Sequence, residues 1–332
     1  MGINAILPKM KTENTLVFLT SLFSSEDKLI MAPMQNLTSL FYRRTFEKFF
    51  PKTIDYAVSP FISATSNNAN PNAYQFKDIL PQNNASSIPI VPQIMGNNAE
   101  YMLNTCKIIE NFGYREVNIN MGCPKKDIVS RKRGAGLLTE KDNVQKIIET
   151  ILNNTKLQVS IKVRLGVKSY MDFENLVPML NVLPLKSVCI HPRRAIDFYE
   201  GKVNLQKFSD LCKEIKHTII YNGDIFCVED FSKLKEQFPF ITHWMIGRGL
   251  LQNPFLSSEI RGIHYERNMI LRNFLQEIEK EFASTLDHPN DKLVLGKMKE
   301  FAKYFCKGFD LDATPFLHSS CLEEINKKIK CL

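Results

Sequence analysis

A cysteine stands between a glycine and a proline in Asn120-Met121-Gly122-Cys123-Pro124. Gly122 opens backbone angles closed to other residues and Pro124 stops a regular continuation, so the thiol is fixed in a tight corner. A thiol near neutral pH can deliver a proton or act as a nucleophile. Most cysteines are small buried hydrophobes; here the flanking residues favour chemistry. Two further pairs have the spacing of one strand face: Lys162 with Arg164, and His191 with Arg193. Ile161, Val163 and Leu165 mark the first of these strands as otherwise buried, so its charges need a partner such as a cofactor ring or a phosphate. Asn222-Gly223-Asp224 and Gly247-Arg248-Gly249 add glycines that let backbone N–H groups approach a phosphate, with Arg248 as a fixed charge. Taken alone, Gly-Arg-Gly could equally be a simple turn.

These residues need a scaffold that brings distant segments to one place. From Leu29 to about Leu251 short apolar runs alternate with amphipathic stretches. The spacing predicts strands at Leu29–Pro33, Ile54–Phe61, Pro89–Ile94, Glu116–Asn120, Gln158–Val163, Ser187–His191, Thr218–Tyr221 and His243–Ile246. Helical periodicity follows them, as in Ala99–Phe112 and Val144–Leu152. Eight βα units predict an α/β fold, a closed (β/α)8 TIM barrel with a parallel sheet. An open doubly wound sheet usually carries a glycine fingerprint after its first strand, and none follows Leu29–Pro33. Ala32-Pro33-Met34, Gln93, Asn120 to Cys123 and the pairs above all fall at strand C-terminal ends. In a barrel those ends surround one mouth, where the active site sits.

After about Arg261 the pattern is helical throughout, with Met298, Phe301, Ala302 and Phe305 on one face and Lys292, Lys299, Lys303 and Lys307 on another. A solvent face is the ordinary reading of such a stripe, but a helical domain beside the mouth is also well placed to hold a large substrate. The boundaries expected are 1–26 for a loose polar leader, 27–260 for the barrel and 261–332 for an all-helical C-terminal domain. The 332 residues carry a net charge of +8, compatible with a polyanionic partner. Lys125, Lys126, Arg131, Lys132 and Arg133, against the single Asp127, place charge directly after the thiol corner. The eight cysteines show neither a C-x-x-C pair nor zinc spacing, so reduced thiols and no metal are expected. No signal peptide and no membrane-length apolar run is visible, and a cytoplasmic protein is expected.

In this order the residues resemble the tRNA-dihydrouridine synthases, most like the shorter bacterial members. The match runs through Ala32-Pro33-Met34, Gln93, Asn120-Met121-Gly122-Cys123-Pro124, Gly134-Ala135-Gly136-Leu137-Leu138 and Lys162-Val163-Arg164. It continues in His191-Pro192-Arg193, Tyr199-Glu200-Gly201, Asn222-Gly223-Asp224-Ile225 and Gly247-Arg248-Gly249, about two-thirds of the chain. The Asn-x-Gly-Cys-Pro element is the most specific. Departures are the basic loop after Cys123, Tyr221 where a glycine is common, and Arg194 where many members have Thr.

The resemblance implies an FMN-bound barrel recharged by NADPH, hydride transfer to C6 of a uracil, and protonation of C5 by a cysteine. On this chain it makes Cys123 the general acid. Gln93, Lys162 and His191 would hold the flavin ring and ribityl chain, helped by the main chain at Pro33 and Met34. Asn222, Gly223, Asp224, Gly247 and Arg248 would meet the FMN phosphate side, and Asn120, Arg164 and Arg193 the uracil or its nucleotide. The partner implied is tRNA, bound by a monomer. Ribosomal RNA would present the same flipped uracil. A dihydroorotate dehydrogenase-like barrel leaves the basic loop and helical tail without purpose, and a non-catalytic RNA-binding barrel would not need the complete set Cys123, Lys162, His191 and Arg248.

Overall fold

The computed structural model describes residues 23–66, 70, 71, 73–85, 87–288 and 290–332. The leader expected at 1–26 lies outside them up to residue 22. Ten strands, all paired in parallel, are present among the described residues: β1 (Lys28–Met31), β2 (Tyr56–Val58), β3 (Ile62–Ser63), β4 (Ile90–Val91), β5 (Gln93–Met95), β6 (Glu116–Met121), β7 (Gln158–Arg164), β8 (Leu185–His191), β9 (Thr218–Asn222) and β10 (His243–Ile246). β1 pairs with both β10 and β2, and the ladder runs from β5 through β10 without a break. β2 pairs with β4 while β3 pairs with β5. β4 and β5 are the expected strand Pro89–Ile94 in two pieces, and β2 resumes as β3 just past the expected end at Phe61; counting each of these as one strand, the ring closes with eight members.

The split corrects the expected spans Ile54–Phe61 and Pro89–Ile94. Pro60 and Pro92 have no N–H to give a ladder, and pairing fails at both. Ser59 bridges the gap: its N–H donates to the Val91 carbonyl at 3.0 Å and its Oγ accepts from the Gln93 N–H at 3.1 Å. The other six strands agree with their expected spans to within two residues. The helices Ala99–Asn111 and Lys141–Asn154 also form as expected, the first capped by the Asn98 side chain accepting from the Tyr101 N–H at 3.0 Å.

Strand residues alternate between two environments. Leu29, Met31, Val117, Ile119, Val159 and Ile161 belong to the large apolar core under the helices. Ile30, Ala32, Val58, Cys189, Ile220 and Met245 make a second, smaller cluster. With a side-chain period of two, this second set shares its face with Asn120, Lys162, His191 and Asn222 further along the strands. The barrel interior is therefore an apolar plug topped by polar side chains.

The tail helices Arg267–Ser284, Asp291–Gly308 and Leu322–Lys330 do not stand apart. Tyr42 stacks on Phe301 with ring centroids 5.6 Å apart, Phe41 meets Phe282 at 5.1 Å, and Phe50 meets Phe274 at 5.5 Å. Each pair contributes roughly 0.5–1.5 kcal/mol beyond area burial. All six rings belong to or pack against one continuous core shared with the barrel. At the end of Asp291–Gly308 the contact is closer still. A Cβ on Gly308 would lie 2.0 Å from the Gln252 carbonyl oxygen, so only glycine lets the two backbones meet. Lys297 adds a bond from Nζ to the Asn36 carbonyl at 2.8 Å.

Candidate active site

A cavity of about 500 Å³ opens at the C-terminal ends of the strands. Twelve of the fourteen residues singled out from the sequence line it. Pro33 and Met34 follow β1; Asn120 and Cys123 close β6; Lys162 and Arg164 end β7; His191 ends β8. Asn222, Gly223 and Asp224 leave β9, and Gly247 and Arg248 leave β10. Gln93 and Arg193 do not line it: they are buried behind it, 0% and 3% exposed.

The thiol corner is fixed from two sides. Asn120 Oδ1 accepts the N–H groups of Gly122 and Cys123 at 3.1 and 3.0 Å, while its Nδ2 donates to Gln93 Oε1 at 2.8 Å. Gln93 passes a bond on to Asn118 Oδ1 at 2.8 Å, and Asn118 to Ser160 Oγ at 3.0 Å. A chain of buried amides, each bonded to the next, thus anchors the corner in the barrel interior. From the other side Gly134, at φ 53°, packs where a Cβ would lie 2.8 Å from Cys123 Cβ. Burial pushes the Cys123 thiol up from its ordinary pKa, outweighing the Lys125 N–H and the charges of Lys125 and Arg164 that pull it down. At neutral pH the group is a protonated thiol: a proton donor, not a thiolate.

Cations crowd the floor. Burial, and then the Arg164 charge, hold the Lys162 ammonium below its usual range. Lys162 forms no hydrogen bond or ion pair among the described residues, though it lines the cavity. Such a cation calls for an electron-rich guest. Burial, followed by the charges of Arg164, Lys162, Arg193 and Arg248, holds His191 well below its usual pKa, so the imidazole is neutral. Arg164 spends three N–H groups on the carbonyls of Gly122, Arg194 and Phe198, at 3.0, 3.0 and 2.6 Å. It thereby ties the thiol corner to the turn after β8, where Phe198 takes a left-handed φ of 45°. Asp224 is the counter-ion of the opposite wall, pairing with Arg248 at 2.8 Å and with Arg193.

Among the cavity residues with no role assigned from the sequence, Phe61, Phe198, Tyr199, Glu300 and Tyr304 shape the mouth. Phe61 enters through the break between β2 and β3. Phe198 and Tyr199 overhang the mouth, Tyr199 half exposed and flanked by the guanidinium carbons of Arg248 at 4.6 Å and Arg164 at 5.2 Å. Glu300 and Tyr304 come from the tail helix Asp291–Gly308. Their spacing of four, three and seven residues after Lys297, was the available signal for a second face on that helix. Of the departures, Arg194 is consumed by Asp197, with Nη2 to Oδ1 at 2.9 Å. Tyr221 fills space outside the plug against Phe208 and Trp244, at 5.0 and 5.8 Å, its hydroxyl without a partner. No group of His, Cys, Asp and Glu among the described residues is arranged to hold a metal. No helix among them is long and apolar enough to cross a membrane.

A parallel barrel with a neutral imidazole, an unpaired lysine and a protonated thiol on one cavity at the strand C-terminal ends has the architecture of the TIM-barrel oxidoreductases. Solved structures agree on the fold. A 2-naphthoyl-CoA reductase complex superposes with a TM-score of 0.54 at 9% identity, covering 70% of this chain and 49% of that one. An old yellow enzyme from Trypanosoma cruzi gives 0.50 at 10% identity, covering 79% and 94%. The sequence profile for Dihydrouridine synthase (Dus) matches residues 30–327, and the chain belongs to that family of flavin-dependent enzymes. A probable tRNA-dihydrouridine synthase of Rickettsia typhi is 28% identical over 238 residues, 70% of this chain and 69% of the relative. A tRNA-dihydrouridine(16) synthase of Cupriavidus necator is 24% identical over 286 residues, 82% and 88%.

Proposed function

We propose that this chain reduces the C5=C6 bond of particular uridines in tRNA, with FMN in the cavity and NADPH as the ultimate hydride donor. The observation that carries this reading is the protonated, immobilised thiol of Cys123 on the same cavity as the unpaired Lys162 and the neutral His191. The residues fit a flavin: Lys162 supplies charge for an electron-rich ring edge, and His191 an uncharged polar contact. The main chain at Pro33 and Met34 would flank the ring, and Asn222, Gly223, Gly247 and Arg248 would serve the phosphate side, with Asp224 pairing with Arg248. Bound and reduced, the flavin supplies hydride to C6 of the uracil.

The protein's own contribution is positional and protic. Cys123 holds the proton for C5 on Sγ, and Asn120 keeps one amide N–H for the base after its bonds to the corner and to Gln93. Gln93 acts through Asn120. Drawing a uracil out of a folded RNA costs a few kcal/mol. Phosphate contacts offset that cost. Lys125, Lys126, Arg131 and Lys132 are exposed beside the thiol corner, and Lys125 reaches the cavity itself. On the tail helix Lys292, Lys303 and Lys307 are exposed, and with Lys299 they form no ion pair among the described residues. We read the protein as a cytoplasmic monomer gripping one RNA between barrel mouth and tail. The test is a yellow protein that releases FMN, together with site-resolved dihydrouridine mapping of tRNA and rRNA from cells with and without it. Loss of particular tRNA sites supports the reading; loss confined to rRNA redirects it. Full activity of Cys123→Ala on unmodified tRNA refutes the proton donor.

A further inference from the structure

Arg193 accounts for all of its own hydrogen-bonding capacity. A guanidinium has five N–H groups and no acceptor, and it does not deprotonate in a protein. Nε donates to the Glu200 carbonyl at 3.3 Å. Nη1 donates to Asp224 Oδ1 at 3.0 Å and meets His191 Nε2 at 3.1 Å. Nη2 donates to the Gly201 carbonyl at 2.6 Å and to Asp224 Oδ2. Five donors meet five partners, so none is left for a substrate, consistent with the place of Arg193 behind the cavity wall.

The consequence falls on His191. Its neighbour at Nε2 can only donate, so Nε2 must be the unprotonated, accepting nitrogen. The groups facing the ring are the cations Lys162, Arg164, Arg193 and Arg248, with Asp224 held between two of the arginines. A neutral ring accepting at Nε2 carries its proton on Nδ1, and Nδ1 has no partner among the described residues while the ring lines the cavity. We propose that Arg193 is a positioning residue that locks His191 in the Nδ1–H tautomer, so that the imidazole presents one N–H donor to an acceptor atom of the bound cofactor. The second half of this rests on the flavin reading above; the first half stands on the bonding pattern alone.

The test is a long-range ¹H–¹⁵N correlation of the imidazole rings in the full-length, flavin-loaded protein, with His191 assigned by its loss in His191→Asn. The expected pattern is a protonated Nδ1 and an unprotonated Nε2 at pH 7, in a ratio beyond about tenfold, as a charge-assisted bond supports. Arg193→Met should let the Nε2–H form appear, and Arg193→Lys should restore part of the original pattern. If both variants fail to fold, His191→Asn and His191→Gln decide it, because asparagine places its amide N–H near the position of Nδ1 and glutamine near that of Nε2. Asparagine should retain flavin at least tenfold more tightly than glutamine. A wild-type ring protonated at Nε2, an unmoved tautomer in Arg193→Met, or equal flavin retention by the two amides overturns the proposal. A colourless protein whose ring is still Nδ1–H would instead sink the flavin reading and leave the tautomer assignment standing.

Discussion

Replacing Gly134 with alanine separates the cost of the fold from the cost of the chemistry. At φ 53° an L side chain enters the left-handed region, a penalty of roughly 1–2 kcal/mol. The added Cβ would also lie 2.8 Å from Cys123 Cβ, 2.9 Å from the Cys123 carbonyl oxygen and 3.1 Å from Ile128 Cγ2. Ordinary contact begins near 3.4 Å, so the corner must open by about half an ångström, an overpacking cost of about 1–3 kcal/mol. Gly113→Ala is the control: φ is 88° but nothing lies within 4 Å, so only the backbone penalty applies. Denaturant unfolding should therefore place Gly134→Ala about 1–3 kcal/mol below Gly113→Ala. The catalytic effect should be confined to one half-reaction. A 1 Å misplacement of a reacting group costs about a hundredfold, so half of that predicts about a tenfold slower single-turnover reduction of unmodified tRNA by prereduced enzyme. Flavin reduction by NADPH should be unchanged, since Cys123 has no part in it. Equal destabilisation of the two variants, or an unchanged uridine reduction rate in Gly134→Ala, would refute the view that Gly134 holds the proton donor in place.

Other outcomes follow from the same geometry. The Cys123 pKa is raised by folding, so the thiol form is favoured in the native state; its contribution to stability is present below the ordinary thiol pKa and is lost as pH rises through the raised one. Single-turnover uridine reduction should accordingly stay level through about pH 8.5, where a free cysteine ionises. A fall at or below that pH would mean that the proton comes from elsewhere. Gly308→Ala, which would press on the Gln252 carbonyl at 2.0 Å, should cost about 1–3 kcal/mol and weaken tRNA binding more than flavin binding; unaltered thermal unfolding would show that the tail does not dock there. Changing Lys292, Lys299, Lys303 and Lys307 together to alanine should flatten the plot of log affinity for tRNA against log salt by about 3 in slope, and an unchanged slope would assign the stripe to solvent.

Most of the barrel can be read from local chemistry, because a strand buried on both faces must be apolar over several residues and the helices after it must carry one apolar stripe. Gln158–Arg164 and Leu185–His191 announce themselves in this way. The breaks at Pro60 and Pro92 do not: each proline is visible, but that both interrupt the same ladder depends on pairing between segments far apart in the chain. Side-chain assignments divide along the same line. Lys162 and Asn222 line the cavity because their strand position alone decides their face. Gln93 and Arg193 occupy equally suitable positions, yet neighbours consume their polar groups, Asn118 and Asn120 for one and Asp224 for the other. Glu300 and Tyr304 reach the cavity from a helix more than 170 residues beyond Cys123, and only tertiary packing places them there.

The aromatic seam between Leu40–Phe49 and the tail also orders events in time. On a ribosome the barrel strands emerge before residue 261, while Phe274, Phe282 and Phe301 are still to be made. Until they arrive, Phe41, Tyr42 and Phe46 lack the tail side of their packing, and an exposed aromatic face of that kind is prone to aggregate. The same late segment brings Glu300 and Tyr304 to the cavity rim. The last segment to be made thus completes the cavity rim and the aromatic core in the same step.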